Sequence, residues 1–208
     1  MKIRFYLLHI KLANVEYDVW RKLIVPSNIS LDRLHDVLQI AMSWEDYGSH
    51  YFLIKGETFH DVAEDEEEQE DWSDDDERIV SLDEVITKKG EVFQYFYNND
   101  TTWELQIKLE NDKLVYPRQE LLVECLSGNM FAPLEDLHSL EEYKQLYNVL
   151  DEPDSELFKE MLGNNPFTSL IFSKGSIDPH LINAKLREFL LWSRDRAMDW
   201  FDLQDLED

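Results

Sequence analysis

The chain has 208 residues, 43% hydrophobic and 12% aromatic, which suits one folded domain with a sizeable core. Its 45 acidic residues against 20 basic ones leave a formal net charge of −25. Nucleic-acid binding leans on Lys and Arg neutralising phosphates, so a direct DNA or RNA binder is disfavoured, whereas a basic protein partner, or mimicry of nucleic-acid charge, fits the balance.

Residues 2–12, KIRFYLLHIKL, alternate roughly between two sets of side chains and predict a strand. The first twenty residues have no long apolar core and no small-residue cleavage site, so no signal peptide is expected. Residues 17–25, YDVWRKLIV, predict a second strand stopped by Pro26, and the short polar link suggests a hairpin. Ser30 then opens a helix: Leu31, Leu34, Leu38 and Ala41 fall at helical spacing, with Asp32, Arg33 and Asp36 opposite.

HYFLIK at 50–55 is strand-like and runs into DVAEDEEEQEDWSDDDE at 61–77, where twelve of seventeen residues are acidic and none is basic. Without those twelve the balance would still be −13, so about half the excess sits in one window. Ser81 and Glu84 have capping-box spacing, in which hydroxyl and carboxylate satisfy backbone amides reciprocally, and predict a short helix over 82–88 ending near Gly90. Aromatic and β-branched runs at 92–97 and 102–109 flank the turn-forming Asn98, Asn99 and Asp100, as in a hairpin. YPRQE and CLSGNMFAP read as irregular chain. Helices follow at about 139–150 and 154–162, and a last one starts at Asp178-Pro179, its stripe running through Ile182, Leu186, Phe189, Leu190, Ala197, Trp200 and Phe201.

Strands joined by short turns, then a helical C-terminal third, predict an α+β fold: a mainly antiparallel sheet with one face covered by helices. Cys125 is the single cysteine, which excludes an internal disulfide and suits a reducing, cytoplasmic setting. No apolar run is long enough to span a membrane. GxGxxG, the P-loop, HExxH, GxSxG and CxxC are all absent, so no catalytic residue is assigned.

Three stretches together resemble a known family. VWRKLIVPSNISLDRLHDVLQIAMSWEDYGSHYFLI is similar to the opening signature of the plasmid-pRi ORF-3-like proteins, often labelled transposon passengers, with Trp20, Arg21, Pro26, Leu34, His35, Trp44, His50 and Phe52 in the signature places. YNNDTTWEL retains Tyr97 and Trp103 of a second pattern, and YPR at 116–118, CLSG at 125–128 and APLED at 132–136 match a third. The likeness covers roughly residues 2–190, which divides the chain into a domain over 1–190 and a C-terminal helical extension over 191–208 with an acidic end. It implies an α+β domain of the MM-type hypothetical-protein fold, a mobile-element association, and no established activity. Where the family carries Asp, Gly, Asp and His, this chain has Asn98, Asp100, Thr101 or Thr102, and Leu105. Where it carries a close Cys pair, Ala132 and Leu137 stand. One remaining thiolate cannot build a four-ligand zinc site by itself, so neither a metal nor a cofactor is assigned.

Two regions are candidates for function. Trp20, Arg21, His35, Trp44, His50, Asp100 and Trp103 join three indoles, a guanidinium and two imidazoles, which could wall a ligand pocket in which Arg21 clamps a carboxylate or phosphate. The same residues also fit a plain core, with His35 satisfied at the edge of its helix. Glu66, Glu67, Glu68, Asp74, Asp75 and Asp76 form a candidate surface for a basic partner, with Trp72 as its anchor. Like charges so dense repel and stay in water, so a solvated excursion is the expected state. DEEEQEDWSDDDE lacks the spacing and glycine of a calcium loop. Past residue 190 the apolar face of the last helix could pair with a second copy. The leading functional expectation is a non-enzymatic interaction module. The alternative is a small-ligand binder or enzyme using the aromatic, His and Arg pocket.

Overall fold

The computed structural model describes residues 4–61, 76–98, 101–114, 123–135, 137, 139–150, 156, 159, 175 and 177–192. Seven strands form one sheet: β1 Phe5–Leu12, β2 Trp20–Pro26, β3 Ser49–Ile54, β4 Glu57–Phe59, β5 Val92–Asn98, β6 Thr102–Leu114 and β7 Glu124–Asn129. Their order is β4-β3-β5-β6-β1-β2-β7, and every pairing is antiparallel. Four helices accompany them: α1 Leu31–Met42, α2 Leu82–Val85, α3 Leu140–Val149 and α4 Pro179–Trp192. The α+β class and the largely antiparallel sheet are as expected. The expected helix at 154–162 lies outside the described residues apart from Glu156 and Lys159. α4 runs across the expected 190/191 boundary, and the rest of the extension, 193–208, is likewise outside them.

Period-two burial shows why the strands form. On β1, Tyr6, Leu8, Ile10 and Leu12 are buried; on β6, Trp103, Leu105, Ile107 and Leu109; on β5, Phe93, Tyr95 and Tyr97. Each such side chain contributes roughly 1.5–3 kcal/mol through burial, so a one-residue slip of register is strongly disfavoured.

α1 is buried on more than one side. Arg33 and Asp36, expected on its solvent face, are 1% and 7% exposed. The reason lies in what docks there. The Leu31 N–H donates to Val80 O (3.0 Å), the Asp32 N–H donates to Glu77 O (3.2 Å), and α4 also packs against α1. The stretch 77–80 thus holds the start of the helix, while the expected capping box forms on α2 at Ser81 and Glu84.

Two strands were not anticipated. β4 has three residues, and β7 reads ECLSGN without a β-branched or aromatic side chain. β7 forms because β2 offers it a free edge, and its own outer edge is then covered. The Cys125 N–H donates to Asn183 Oδ1 (2.7 Å), and Asn183 Nδ2 donates to Cys125 O (2.9 Å). The Ile177 N–H donates to Gly128 O (3.2 Å), and the Met130 N–H donates to Gly175 O (2.7 Å).

Candidate functional site: a histidine pair between two carboxylates

α1 ends in a left-handed Ser43, whose N–H donates to Ile40 O (3.2 Å), while the Trp44 N–H donates to Gln39 O (2.9 Å). This closes the helix and turns the chain towards β3. Trp44 stacks on Tyr97 (5.0 Å between ring centres) and donates from Nε1 to Pro133 O (2.9 Å). Glu135 locks the connector: it accepts the Glu45 N–H, the Tyr47 N–H (3.2 Å) and the Tyr97 hydroxyl. Burial, and then the Glu135 bond, push the Tyr97 phenol well above its ordinary range. Asp46, at φ 63°, occupies a left-handed position that Asp tolerates better than most residues.

That connector carries Asp46 to the imidazole of His35. His35 Nε2 lies 3.1 Å from Asp46 Oδ1, and its Nδ1 lies 2.9 Å from the Tyr95 hydroxyl. The same hydroxyl accepts from Gln39 Nε2 (2.8 Å), one helical turn along α1. From β3, His50 stacks on His35 with ring centres 3.5 Å apart and planes 13° apart. His50 Nε2 is 2.9 Å from each oxygen of Glu77. Two stacked imidazoles therefore sit between two carboxylates. One of these, Glu77, is only 2% exposed. Burial raises the Glu77 carboxyl above its ordinary value, and the bond and charge of His50 oppose that rise. One donor atom from each of His35, Asp46 and His50 falls within 4.8 Å of the others.

Beside this group opens a cleft of about 260 Å³, lined by Ser49, His50, Tyr51, Thr58, His60, Asp61 and Asn98. At its rim the two ends of the acidic window meet. Asp76 bridges His60 in parallel register, and the Glu77 N–H donates to His60 O (3.2 Å). Asp76 is fully buried and takes Arg78 in a fork: Nε at 2.9 Å to Oδ1 and Nη2 at 2.6 Å to Oδ2. Burial works to raise the Asp76 carboxyl, but the Arg78 bonds outweigh it and the net shift is downward. Arg78 Nε also lies 3.7 Å from Asp61.

The structure separates the seven expected pocket residues. His35 and His50 come together, and Trp44 stands one ring away, against the Tyr97 that pairs with His50 across β3 and β5. Trp20 meets His9 edge-on at 5.5 Å, and Trp103 is buried edge-on to Tyr143 at 6.2 Å. Asp100 lies outside the described residues. Arg21 cannot clamp an anion. It is 3% exposed and donates to four backbone oxygens: Nε to Ala41 O (2.9 Å), and Nη1 to Trp20 O (2.8 Å), Asn129 O (3.0 Å) and Met130 O (2.8 Å). Of the six acids expected on a partner surface, Asp76 is inside the fold, and Glu66, Glu67, Glu68, Asp74 and Asp75 lie outside the described residues.

Sequence reasoning missed Asp46, Glu77 and Tyr95. Asp46 follows two residues after Trp44 in the same resembling stretch, a usable signal. Glu77 was masked by its acidic neighbours. Cys125, also buried, has its thiol pushed up to about 11, first by burial. Such a thiol is a poor nucleophile at neutral pH.

The profile of a family described as plasmid pRiA4b ORF-3-like protein matches residues 4–178. Uncharacterized protein y4hQ of Sinorhizobium fredii is 33% identical over 159 residues, covering 74% of this chain and 77% of that protein. The crystal structure of the protein of unknown function MM3350 from Methanosarcina mazei Go1 superposes with a TM-score of 0.68 at 21% identity, covering 86% of this chain and 98% of that one. That likeness concerns the fold.

Proposed function

This chain belongs to the plasmid pRiA4b ORF-3-like family, and from the site itself we propose that it is a non-enzymatic binding module that takes a cationic group into the cleft beside His50. The observation that carries this reading is the charge around that cleft. Asp61 lines it, Asp76 and Glu77 stand behind its wall at His60 and His50, Asp46 holds the neighbouring His35, Arg78 is the guanidinium paired with Asp76 and Asp61, and the whole chain carries −25. A field of that sign draws cations in and repels phosphates and carboxylates. The fitting occupant is the ammonium or guanidinium of a Lys or Arg side chain on a basic protein, in a cytoplasmic and, by the family's plasmid description, mobile-element setting. No helix among the described residues is long and apolar enough to cross a membrane.

The alternative of a hydrolytic enzyme needs a nucleophile held by a base. Among the described residues, neither Ser49 nor Thr58 donates to an imidazole, so the geometry favours binding.

The test is calorimetric titration of the full chain with an arginine- and lysine-rich peptide at low and moderate ionic strength. Saturable binding that weakens with salt and in Asp61→Asn is expected. Equal heats in the wild type and Asp61→Asn, or no binding at low salt, would sink the reading.

A further inference from the structure

We propose that His35, Asp46 and His50 form a binding site for a divalent transition-metal ion of the zinc, cobalt or nickel class. The inference rests on the cation-binding reading of this region and narrows it to a deeper point, because neither His35 nor Asp46 lines the cleft.

Three features support it. First, donors on a common ion about 2.0–2.1 Å from each stand roughly 3 Å apart, and His35 Nε2 and Asp46 Oδ1 are 3.1 Å apart. One atom from His50 completes a set within 4.8 Å. Second, each imidazole has an outer partner of the kind that orients metal-binding histidines. Tyr95 holds His35 at Nδ1, and Glu77 holds His50 at Nε2. Third, access is graded: the side chains of His35, His50 and Asp46 are 3%, 12% and 41% exposed, so an ion can enter from the Asp46 side and end largely desolvated.

Two imidazoles and one carboxylate select borderline ions over magnesium and calcium, which prefer all-oxygen sites. An ion lies in the plane of each imidazole that binds it. Loading therefore tilts the His50 ring out of its stack on His35 while Nε2 keeps its bond to Glu77. Three protein ligands leave a fourth position open, where a donor atom of a ligand or a water would sit.

The experiment uses the full chain, free of any affinity tag, titrated with Co2+ under excess Mg2+ as a competitor for all-oxygen sites. One equivalent of Co2+ with visible absorption of a low-coordinate imidazole complex, displaced by Zn2+, is expected. Asp46→Asn keeps size and tolerates the left-handed backbone, and should weaken binding at least tenfold with an unchanged circular dichroism spectrum. His50→Gln should do the same. Unchanged Co2+ affinity in both variants, which would place the ion on other acids, overturns the proposal. So does the absence of saturable Co2+ binding. If Co2+ fails while the basic peptide still binds, only the metal site falls; if both fail, the cation-binding reading falls with it.

Discussion

Replacing Arg21 by Met should destabilise the fold markedly. The guanidinium ties β2 to the last turn of α1 through Ala41 O and to the end of β7 through Asn129 O and Met130 O. Methionine keeps the apolar stem and removes every donor. Two of the four accepting carbonyls, those of Ala41 and Met130, are in buried bonds. A buried acceptor left unsatisfied costs about 1–3 kcal/mol. Against this stands relief from holding a desolvated cation, visible in the Arg21 pKa, which burial lowers to about 10 and which still leaves it charged at neutral pH. Two such acceptors, set against that relief, give an expected net loss of about 3 kcal/mol. For a chain of this size that is a fall in Tm of roughly 6–12 °C. Thermal unfolding followed by circular dichroism, with urea melts for the free energy, measures it. Arg21→Lys should fall between, since one ammonium cannot reach carbonyls from three elements. A methionine variant within about 0.5 kcal/mol of the wild type would refute the claim that Arg21 is a structural clasp.

Three further outcomes follow from the same geometry. A Cβ on Gly128 would meet Trp20 O and Arg21 Cδ at 2.8 Å and Ile177 Cδ1 at 2.7 Å; Gly128→Ala should therefore cost about 1–3 kcal/mol in urea melts, because backbone cannot step aside as a side-chain tip can. Asn183→Leu leaves the Cys125 N–H and C=O without their cover and should cost about 2 kcal/mol, with faster hydrogen exchange at the Cys125 amide as the specific readout. Burial raises Cys125 to about 11 and also raises Tyr97 and Tyr143. The folded state then holds protons that the unfolded state has released, so this stability is complete below pH 9 and is lost as pH climbs through 11. Tm should drop between pH 8.5 and pH 10.5, and in native protein Cys125 should resist alkylation at pH 8, gaining reactivity on unfolding.

Local signals carried most of the fold. The Leu31, Leu34, Leu38 and Ala41 spacing predicts α1, the Ser81 and Glu84 pair predicts α2, and the aromatic runs predict β5 and β6; all four form, though α2 stops at Val85, with Ile86 already extended, short of the expected 88. β7 was hidden because its pairing depends on β2 and its cover on Asn183, sixty residues away in rough terms, while ECLSGN has little strand propensity of its own. The site divides the same way. His35 and His50 stand out as residue types, but their stacking depends on how a helix meets a sheet. Arg21 looks like an anion clamp on paper because its acceptors are backbone oxygens, which a sequence does not display. Glu77 and Asp76 read as solvated in a run of acids, which does not display the partners they meet, His50 and Arg78.

The clasp that Asp76 and Arg78 make beside His60 and Asp61 has a consequence for how this chain can vary. It brings the two borders of the 62–75 stretch side by side and fastens them to each other. Lengthening a connection whose two ends are held together adds only a slowly growing entropic term. A reporter peptide or an epitope spliced there should leave the sheet's melting behaviour nearly untouched, which makes this junction the natural grafting point of the molecule.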